Sequence, residues 1–319
     1  MKAERNKTID FTVEEGADYL ANCIRLDRTV ADSSCILDKT ILGDTFETLP
    51  RLPSKFVDLL IVDPPYNLDK EFHGATFKKL SDEEYMAYTE RWIQLVLPLL
   101  KETASIYVCC DWQSSPAIGM VLKNYFHLQN RITWQREKGR GALTNWKNGM
   151  EDIWFATCSN TYTFNVNAVK IRRKVLAPYK VDGKPKDWEA TEEGNFRNTC
   201  PSNFWDDISI PYWSMPENTA HPTQKPEKLL AKLILASSNP GDVVFDPFLG
   251  SGSTSVTAKK LGRHYVGIER SEQYCVWAEK RLEMADTDAT IQGYADGVFW
   301  ERNTHALQKR HKQPHSLDG

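Results

Sequence analysis

The sequence predicts an α/β fold, doubly wound around a mostly parallel sheet. Residues 59–62 and 243–245 are short, continuous apolar segments, which are typical of strands buried on both faces. A distinctive loop follows each strand: Asp-Pro-Pro-Tyr at residues 63–66, and Asp-Pro-Phe-Leu-Gly-Ser-Gly at residues 246–252. Because ligands of such sheets bind at the carboxyl ends of the strands, both loops are candidate functional sites.

The first half of this α/β unit spans residues 36–157. After an apolar segment and a short helix near residues 45–49, the strand at 57–62 leads into the first loop. A helix is then predicted to begin at Ser81, which forms a capping box with Glu84, and its aromatic side chains recur at the spacing of a core-facing stripe. The elements that complete this half are a strand at 105–109, a helix at 114–125 and strands at 128–134 and 152–157.

The α/β pattern resumes in a second half, residues 221–290. Between the halves, residues 158–220 are polar and contain prolines and aromatic residues, so we expect an irregular folded insertion and not a disordered linker. Residues 1–35 form an N-terminal extension, either ordered or mobile, and residues 291–319 form a C-terminal tail. The elements predicted for the second half are a helix through 229–234, a strand at 243–245, a helix at 253–261, a strand at 265–268 and a helix from residue 271.

The composition is that of an ordinary globular protein. Of 319 residues, 41% are hydrophobic and 26% are charged. No apolar run approaches the roughly eighteen residues of a membrane span, and the N-terminus is polar, which predicts a cytoplasmic protein. Seven cysteines without a CxxC pair predict buried thiols and indicate neither a zinc site nor a disulfide framework.

Two basic clusters stand out against a net charge of −3. A charge run alone is typical of a solvated face, but a nearby site for nucleic-acid chemistry would favour a polyanionic partner. The first cluster lies in a glycine-containing loop after Trp134, and the second lies within residues 158–220. Their members are Arg136, Lys138, Arg140 and Lys147 in the first, and Arg172, Arg173 and Lys174 in the second.

The first loop carries groups suited to activating an aromatic amine, whose lone pair is delocalised into its ring. The Asp63 carboxylate and the Pro64 carbonyl, stiffened by the following Pro65, could accept the two N–H bonds and favour a pyramidal nitrogen. Tyr66 could stack on the ring. The alternative is a tight strand exit in which Tyr66 only packs.

The second loop is typical of a nucleotide site, although glycines after a strand can also serve helix packing alone. No Lys-Ser or Lys-Thr follows, as it would in a phosphate-binding loop. The next strand ends in Glu269, where a carboxylate can accept bonds from ribose hydroxyls. These features favour a nucleoside cofactor without phosphates. The alternative is that Glu269 is an ordinary acid at the start of the helix after it.

Taken together, Asp-Pro-Pro-Tyr, His-Pro-Thr-Gln-Lys-Pro at 221–226 and the glycine loop resemble the β-class, permuted DNA amino-methyltransferases over about residues 36–285. The resemblance implies a Rossmann-like methyltransferase sheet, circularly permuted, with the catalytic half before the cofactor half. It also implies S-adenosylmethionine as cofactor, double-stranded DNA as partner, no metal, and a bacterial or phage context. Residues 158–220 match the target-recognition region by position only.

The resemblance assigns roles residue by residue. Asp44 would meet the adenine amine of the cofactor, Lys225 its methionine carboxylate, Asp246 its methionine amino group and Glu269 its ribose. The remaining residues of the cofactor loop are Phe248, Gly250, Ser251, Gly252, Ser253 and Thr254. The catalytic motif is Asp63, Pro64, Pro65 and Tyr66.

The implied reaction is direct methyl transfer to a flipped base, with the basic loop gripping the backbone and Tyr66 or Trp134 facing the base. Trp134 ends an apolar strand and is expected in the core. An Asp at the head of the tetrapeptide is commoner among adenine-N6 enzymes of the family, so adenine N6 is the predicted target. The alternatives are cytosine N4, an RNA base amine and a non-catalytic DNA-binding module. The sequence leaves open the recognition site, a homodimer and a cognate restriction endonuclease.

Overall fold

The structure, a computed structural model, describes residues 5–30, 32–72, 75–136, 144–175, 180–181, 184–185, 187–191, 194–302 and 304. The helices are α1 (Ala17–Leu20), α2 (Thr45–Thr48), α3 (Asp82–Val96), α4 (Ser115–Tyr125), α5 (Glu227–Ser237), α6 (Ser253–Lys260) and α7 (Glu272–Thr287). The strands are β1 (Lys39–Leu42), β2 (Val57–Val62), β3 (Lys70–Phe72), β4 (Ala75–Phe77), β5 (Leu100–Cys110), β6 (His127–Gln135), β7 (Met150–Thr157), β8 (Ile171–Lys174), β9 (Lys180–Val181), β10 (Lys184–Pro185), β11 (Glu189–Thr191), β12 (Gly194–Thr199), β13 (Phe204–Trp205), β14 (Val243–Asp246), β15 (His264–Glu269), β16 (Tyr294–Ala295) and β17 (Val298–Trp300).

An eight-stranded sheet, in the order β1-β15-β14-β2-β5-β7-β6-β13, runs through the α/β part of the chain. Neighbouring strands are parallel except where β7 pairs, since β7 is antiparallel to both β5 and β6. The prediction of a doubly wound, mostly parallel sheet is therefore confirmed. β14, from the second half of the sequence, lies directly beside β2, from the first.

Helices cover both faces of this sheet. The side chains of each buried strand alternate between the two faces, so both faces carry apolar side chains that need covering. Leu60 packs in one cluster with Trp92 of α3 and Ile118 of α4. Its neighbour Leu59 packs in a second cluster with Leu230 of α5. The capping box predicted for α3 is present, with Ser81 and Glu84 bonded reciprocally. The helices thus fix β2, and with it the loop that follows.

A second, smaller sheet has the strand order β11-β12-β8-β17-β16. It differs from the irregular insertion expected at residues 158–220, because β8, β11 and β12 of that region form a regular antiparallel ladder. The sheet also includes part of the expected C-terminal tail, residues 291–319. Phe299 and Trp300 of β17 pair in parallel with β8. Phe299 packs with Ala231 and Leu235 of α5, so this sheet is attached to the main one through α5.

The N-terminal extension is ordered over the residues that the structure describes. Ile9 forms a parallel bridge with Thr219, and its backbone N–H donates to the Asn218 carbonyl. The hydroxyl of Tyr19, in α1, donates to Glu283 of α7. The extension continues to the first half of the domain, where Ile24 forms a parallel bridge with Ile41 of β1.

The cysteines are free thiols in the described chain, but the expectation that all are buried is wrong. Cys109, Cys110 and Cys275 are buried, whereas Cys35 and Cys200 are exposed. Within the described residues, no helix has the length and apolar character needed to cross a membrane.

Candidate active site

The two predicted loops meet at one edge of the main sheet. Leu59 and Leu60 of β2 pair with Val244 and Phe245 of β14, so the residues that leave these strands enter the same space. A cavity of about 440 Å³ opens there. Its lining includes thirteen of the predicted site residues: Asp44, Asp63, Pro64, Pro65, Tyr66, Lys225, Asp246, Phe248, Gly250, Ser251, Ser253, Thr254 and Glu269.

Glu269 fastens the glycine loop to the end of β15. One of its carboxylate oxygens accepts from the backbone N–H of Gly250 at 2.8 Å, and the other accepts from the N–H of Ser271 at 2.7 Å. Burial raises the pKa of Glu269 to about 7, although these N–H donors act in the opposite direction. A carboxylate can accept about four hydrogen bonds, so Glu269 can hold the loop and still accept from a ligand.

Asp246 holds the start of the same loop. Its oxygens accept from the backbone N–H of Phe248 at 2.9 Å and from the hydroxyl of Thr254 at 2.6 Å. Burial raises its pKa to about 7, against the effect of those two bonds. A buried carboxylate of this kind gains most from a cationic partner.

Backbone conformation favours glycine at two positions of the loop, and close packing against α7 adds a second requirement at Gly252. Gly250 has φ of 56° and Gly252 has φ of 83°, both in the left-handed region. A Cβ on Gly252 would lie 2.6 Å from the Cβ of Ala278 in α7, so its small size serves helix packing. Gly252, predicted as a cofactor residue, does not appear in the cavity lining and packs against α7.

Asp44, from the first half of the sequence, also lines the cavity. It follows β1, whose last residue pairs with Glu269, and it is the N-cap of α2, where its side chain accepts from the backbone N–H of Phe46 at 2.9 Å. The cavity lining also includes Tyr88, His221 and Arg270, which sequence reasoning did not select. His221 belongs to the motif at 221–226, and Tyr88 belongs to the aromatic stripe of α3 that was expected to face the core.

Asp63 lies at the exit of β2 with both oxygens engaged. One accepts from the hydroxyl of Tyr66 at 2.9 Å, and the other accepts from the ammonium of Lys225 at 2.7 Å. Lys225 also donates to the Tyr66 oxygen at 3.0 Å. The hydroxyl of Tyr85 donates to the Pro65 carbonyl at 3.0 Å, which braces the tetrapeptide from α3.

The neighbouring carboxylates determine the protonation state of Lys225. Burial acts to lower its pKa, but the attraction of Asp63 and Glu151 is stronger and holds the pKa above its ordinary value. The pKa of Tyr66 lies well above its ordinary value because the phenol is buried beside the same two carboxylates. At neutral pH, Lys225 is therefore a cation and Tyr66 a neutral donor.

Lys225 lines the cavity next to the tetrapeptide. Its ammonium is bonded to Asp63 and Tyr66, and its assignment to the methionine carboxylate stays a prediction. Tyr66, expected to stack on a base, has its hydroxyl committed to Asp63. Trp134 lies in the core with 1% of its surface exposed, as expected.

The predicted DNA-contacting residues differ in their availability. Lys138 and Arg140 lie outside the described residues, whereas Lys147 is exposed beside the 94%-exposed Trp146. The guanidinium of Arg136 forms an ion pair with Glu151.

In the second sheet, Arg172 is 9% exposed, with its guanidinium against the rings of Phe196 and Trp300. Its neighbours Arg173, which is ion-paired with Asp206 and Glu301, and Lys174 lie nearer the surface. Arg172 is therefore buried, whereas Arg173 and Lys174 are more exposed to solvent.

Comparison with known proteins identifies relatives that are all named as DNA methylases or methyltransferases. A family model described as DNA methylase, covering N6 and N4 enzymes, matches residues 57–280. The chain is 34% identical over 270 residues to the type II methyltransferase M.HinfI of Haemophilus influenzae (77% of this chain, 68% of that protein). It is 33% identical over 255 residues to the DNA adenine methyltransferase YhdJ of Escherichia coli K12 (77% and 83%).

Solved structures share the fold at lower identity. That of a DNA modification methylase from Thermus thermophilus, TTHA0409, complexed with S-adenosyl-L-methionine, has a TM-score of 0.53 at 19% identity and covers 83% of this chain and 98% of its own. The cytosine-N4-specific PvuII DNA methyltransferase has a TM-score of 0.55 at 16% identity, with 79% and 92% covered.

Proposed function

The chain belongs to the DNA methylase family, and we propose that it transfers a methyl group from S-adenosylmethionine to the N6 amine of adenine in double-stranded DNA. The observation that carries this is one cavity lined both by the Asp63 tetrapeptide and by the glycine loop with Glu269. The relative named a DNA adenine methyltransferase, at 33% identity, supports adenine over cytosine.

The hydrogen-bond acceptors of the cavity fit this cofactor. S-adenosylmethionine supplies an electrophilic methyl group on a sulfonium centre, together with an amino group, ribose hydroxyls and an adenine amine. Asp246 would accept from the amino group, Glu269 from the hydroxyls and Asp44 from the adenine amine. Lys225 offers no uncompensated charge to the methionine carboxylate, because its ammonium is held by Asp63.

Asp63 and the Pro64 carbonyl would accept the two N–H bonds of the target amine. Such bonds strengthen as the nitrogen becomes pyramidal and positive, so they stabilise the transition state more than the ground state. Lys225 and Tyr66 fix the orientation of the Asp63 carboxylate through the bonds already described. Oriented acceptors of this kind need little reorganisation during the reaction.

The target amine is shielded inside a duplex, so the base must be flipped into the cavity. We propose that the basic loop, residues 136–147, holds the DNA backbone, and that the second sheet with residues 158–220 selects the sequence. A cytoplasmic location and a cognate restriction endonuclease are further proposals, supported by the likeness to bacterial enzymes, M.HinfI among them. A homodimer is a proposal that sedimentation of the free enzyme would test.

The test is methylation of duplex DNA by the purified protein with labelled S-adenosylmethionine, followed by analysis of the modified nucleosides. N6-methyladenine is the expected product. N4-methylcytosine would replace the adenine assignment with the cytosine alternative, and labelling of RNA but not duplex DNA would overturn the DNA assignment. Binding of cofactor and DNA without any methyl transfer would indicate the non-catalytic alternative.

Two variants make this test specific to the site. Asp63→Ala should lose about 10²–10³-fold in rate, the typical loss for a group that stabilises developing charge, while it still binds the cofactor. Asp58→Asn is the matched control, since Asp58 lies near the other end of the same strand and pairs with Lys101. It should retain the wild-type rate at temperatures where it is folded.

A further inference from the structure

A buried carboxylate that sequence reasoning did not select, Glu151, lies beside the Asp63 tetrapeptide. One of its oxygens is 3.4 Å from the ammonium of Lys225 and 3.4 Å from the hydroxyl of Tyr66. The other oxygen is paired with the guanidinium of Arg136. Its side chain is 5% exposed, so these contacts form inside the protein and not at its solvent-exposed surface.

The position of Glu151 follows from the direction of its strand. β7 is antiparallel to its neighbours, so its first residues, and not its last, lie at the edge where β2 and β14 end. Glu151 is the second residue of β7 and pairs with Trp134 of β6. The antiparallel strand thus brings an acid to a site otherwise built from the ends of parallel strands.

We propose that Glu151 is a positioning residue for methyl transfer: it shares Lys225 and Tyr66 with Asp63, and through Arg136 it ties this group to the base of the basic loop. The proposal rests on the proposed function, because it assigns Glu151 a part in that reaction. Glu151 itself does not line the cavity and would not touch the substrate.

The charges of this group balance. Asp63 and Glu151 supply two carboxylates, while Lys225 and Arg136 supply two cations. If Glu151 lost its charge, Lys225 would have Asp63 as its one carboxylate partner and would bind it more closely. The Asp63 oxygen would then be a poorer acceptor for the target amine, because its electron density would be drawn toward the ammonium.

The connection to Arg136 gives the arrangement a second role. Arg136 begins the basic loop, and its backbone N–H donates to the carbonyl of Gly149 at 2.7 Å, which closes the loop at its base. Glu151 therefore contacts the catalytic group on one side and the anchor of the loop on the other.

The experiment compares Glu151→Gln, which keeps the shape but removes the charge, with Glu151→Asp, which keeps the charge. Single-turnover methyl transfer should fall by about 10- to 100-fold in Glu151→Gln, a typical cost of misplacing a reacting group. Cofactor affinity, measured by calorimetry, should stay within about threefold, because Glu151 lies outside the cavity. Glu151→Asp should recover part of the lost rate.

The pH profile separates positioning from mere folding. Without the negative charge of Glu151, the pKa of Lys225 should fall from its raised value toward its ordinary one. The single-turnover rate should therefore decline at high pH, its alkaline limb, from a lower pH in Glu151→Gln than in the wild-type enzyme. A carboxylate that only supports folding would change thermal stability and leave this limb in place. Asp58→Asn serves again as the control and should leave the profile unchanged.

The outcomes distinguish this inference from the function on which it rests. If the wild-type enzyme methylates DNA and Glu151→Gln matches it in rate and pH profile, Glu151 has no positioning role. A lower rate with an unmoved alkaline limb and no recovery in Glu151→Asp would also overturn the proposal. A wild-type protein that methylates no nucleic acid would instead remove the proposed function.

Discussion

Asp63 and Lys225, which are 162 residues apart in the chain, are joined by a hydrogen-bonded ion pair of 2.7 Å. The pair connects the loop after β2 with the segment before α5, and so links the two halves of the domain. Because the side chain of Lys225 is 8% exposed, water screens the interaction weakly. From this contact we expect the lysine to act on the methyl-acceptor side of the cavity.

Lys225→Met tests that placement. The expected result is a large loss of methyl-transfer rate with little change in cofactor affinity, because the ammonium orients Asp63. The assignment made from the family resemblance gives the opposite result, a loss of cofactor affinity through the methionine carboxylate. Single-turnover rates and calorimetric titration with S-adenosylmethionine, on the same preparation, decide between the two.

Cofactor binding should release protons near neutral pH. Burial raises the pKa of both Asp246 and Glu269 to about 7, so each is partly protonated at that pH before the cofactor binds. A cationic amino group and ribose hydroxyls favour the ionised carboxylates, so affinity should rise as the pH increases from about 6 to 8. Calorimetry in buffers of different ionisation enthalpy measures the protons directly.

Glu269→Gln provides the control for this linkage. It should lower cofactor affinity by about 1–3 kcal/mol, the usual value for bonds to a charged group, and should reduce the number of protons released. Glu269→Ala should have a larger effect, because Gly250 and Ser271 then lose their acceptor. Unchanged affinity in both variants would remove Glu269 from the cofactor site.

Neutralising Lys147 together with Lys138 should weaken binding to all DNA sequences alike. If both contact phosphates, the dependence of log affinity on log salt should become shallower by roughly two units. Arg173→Gln and Lys174→Gln should instead alter the preferred site, if the second sheet enters a groove. Salt slopes identical to the parent in the loop variant would assign DNA binding to another surface.

Asp207→Asn should destabilise the contact between α5 and the segment that follows β13. The Asp207 carboxylate is buried and ion-paired with the ammonium groups of Lys228 at 2.8 Å and Lys232 at 2.6 Å. Removing its charge leaves two buried ammonium groups without that partner, which typically costs about 3–5 kcal/mol. Chemical denaturation measures the loss, and Glu189→Gln, at an exposed partner of Arg172, is the control and should cost far less.

The pH dependence of stability provides a check on the same cluster. Burial opposes ionisation of Asp207, but the two lysines outweigh it and lower its pKa. Its contribution to stability is therefore present above the ordinary pKa of an aspartate and is lost as the pH falls through its lower folded pKa. The Asn variant should lack this acid-side loss.

Local patterns in the sequence were sufficient for the fold class, the two functional loops and the family. Apolar runs that end in Asp63 and Asp246 marked strands of a parallel sheet, and the capping box at Ser81 marked the start of α3. These signals are local because a strand buried on both faces, a helix cap and a glycine turn each depend on a few consecutive residues. The interpretation as a DNA amino-methyltransferase is confirmed by the family match.

Only the tertiary structure decided which residues meet across the chain. The antiparallel course of β7 brought Glu151 to Tyr66, 85 residues away, and the parallel pairing of β17 with β8 drew residues 298–300 into the second sheet. Periodicity reports which face of a strand is buried but not which strand lies beside it. The partners of Lys225 and Glu151 therefore depended on strand order and direction, which no local pattern encodes.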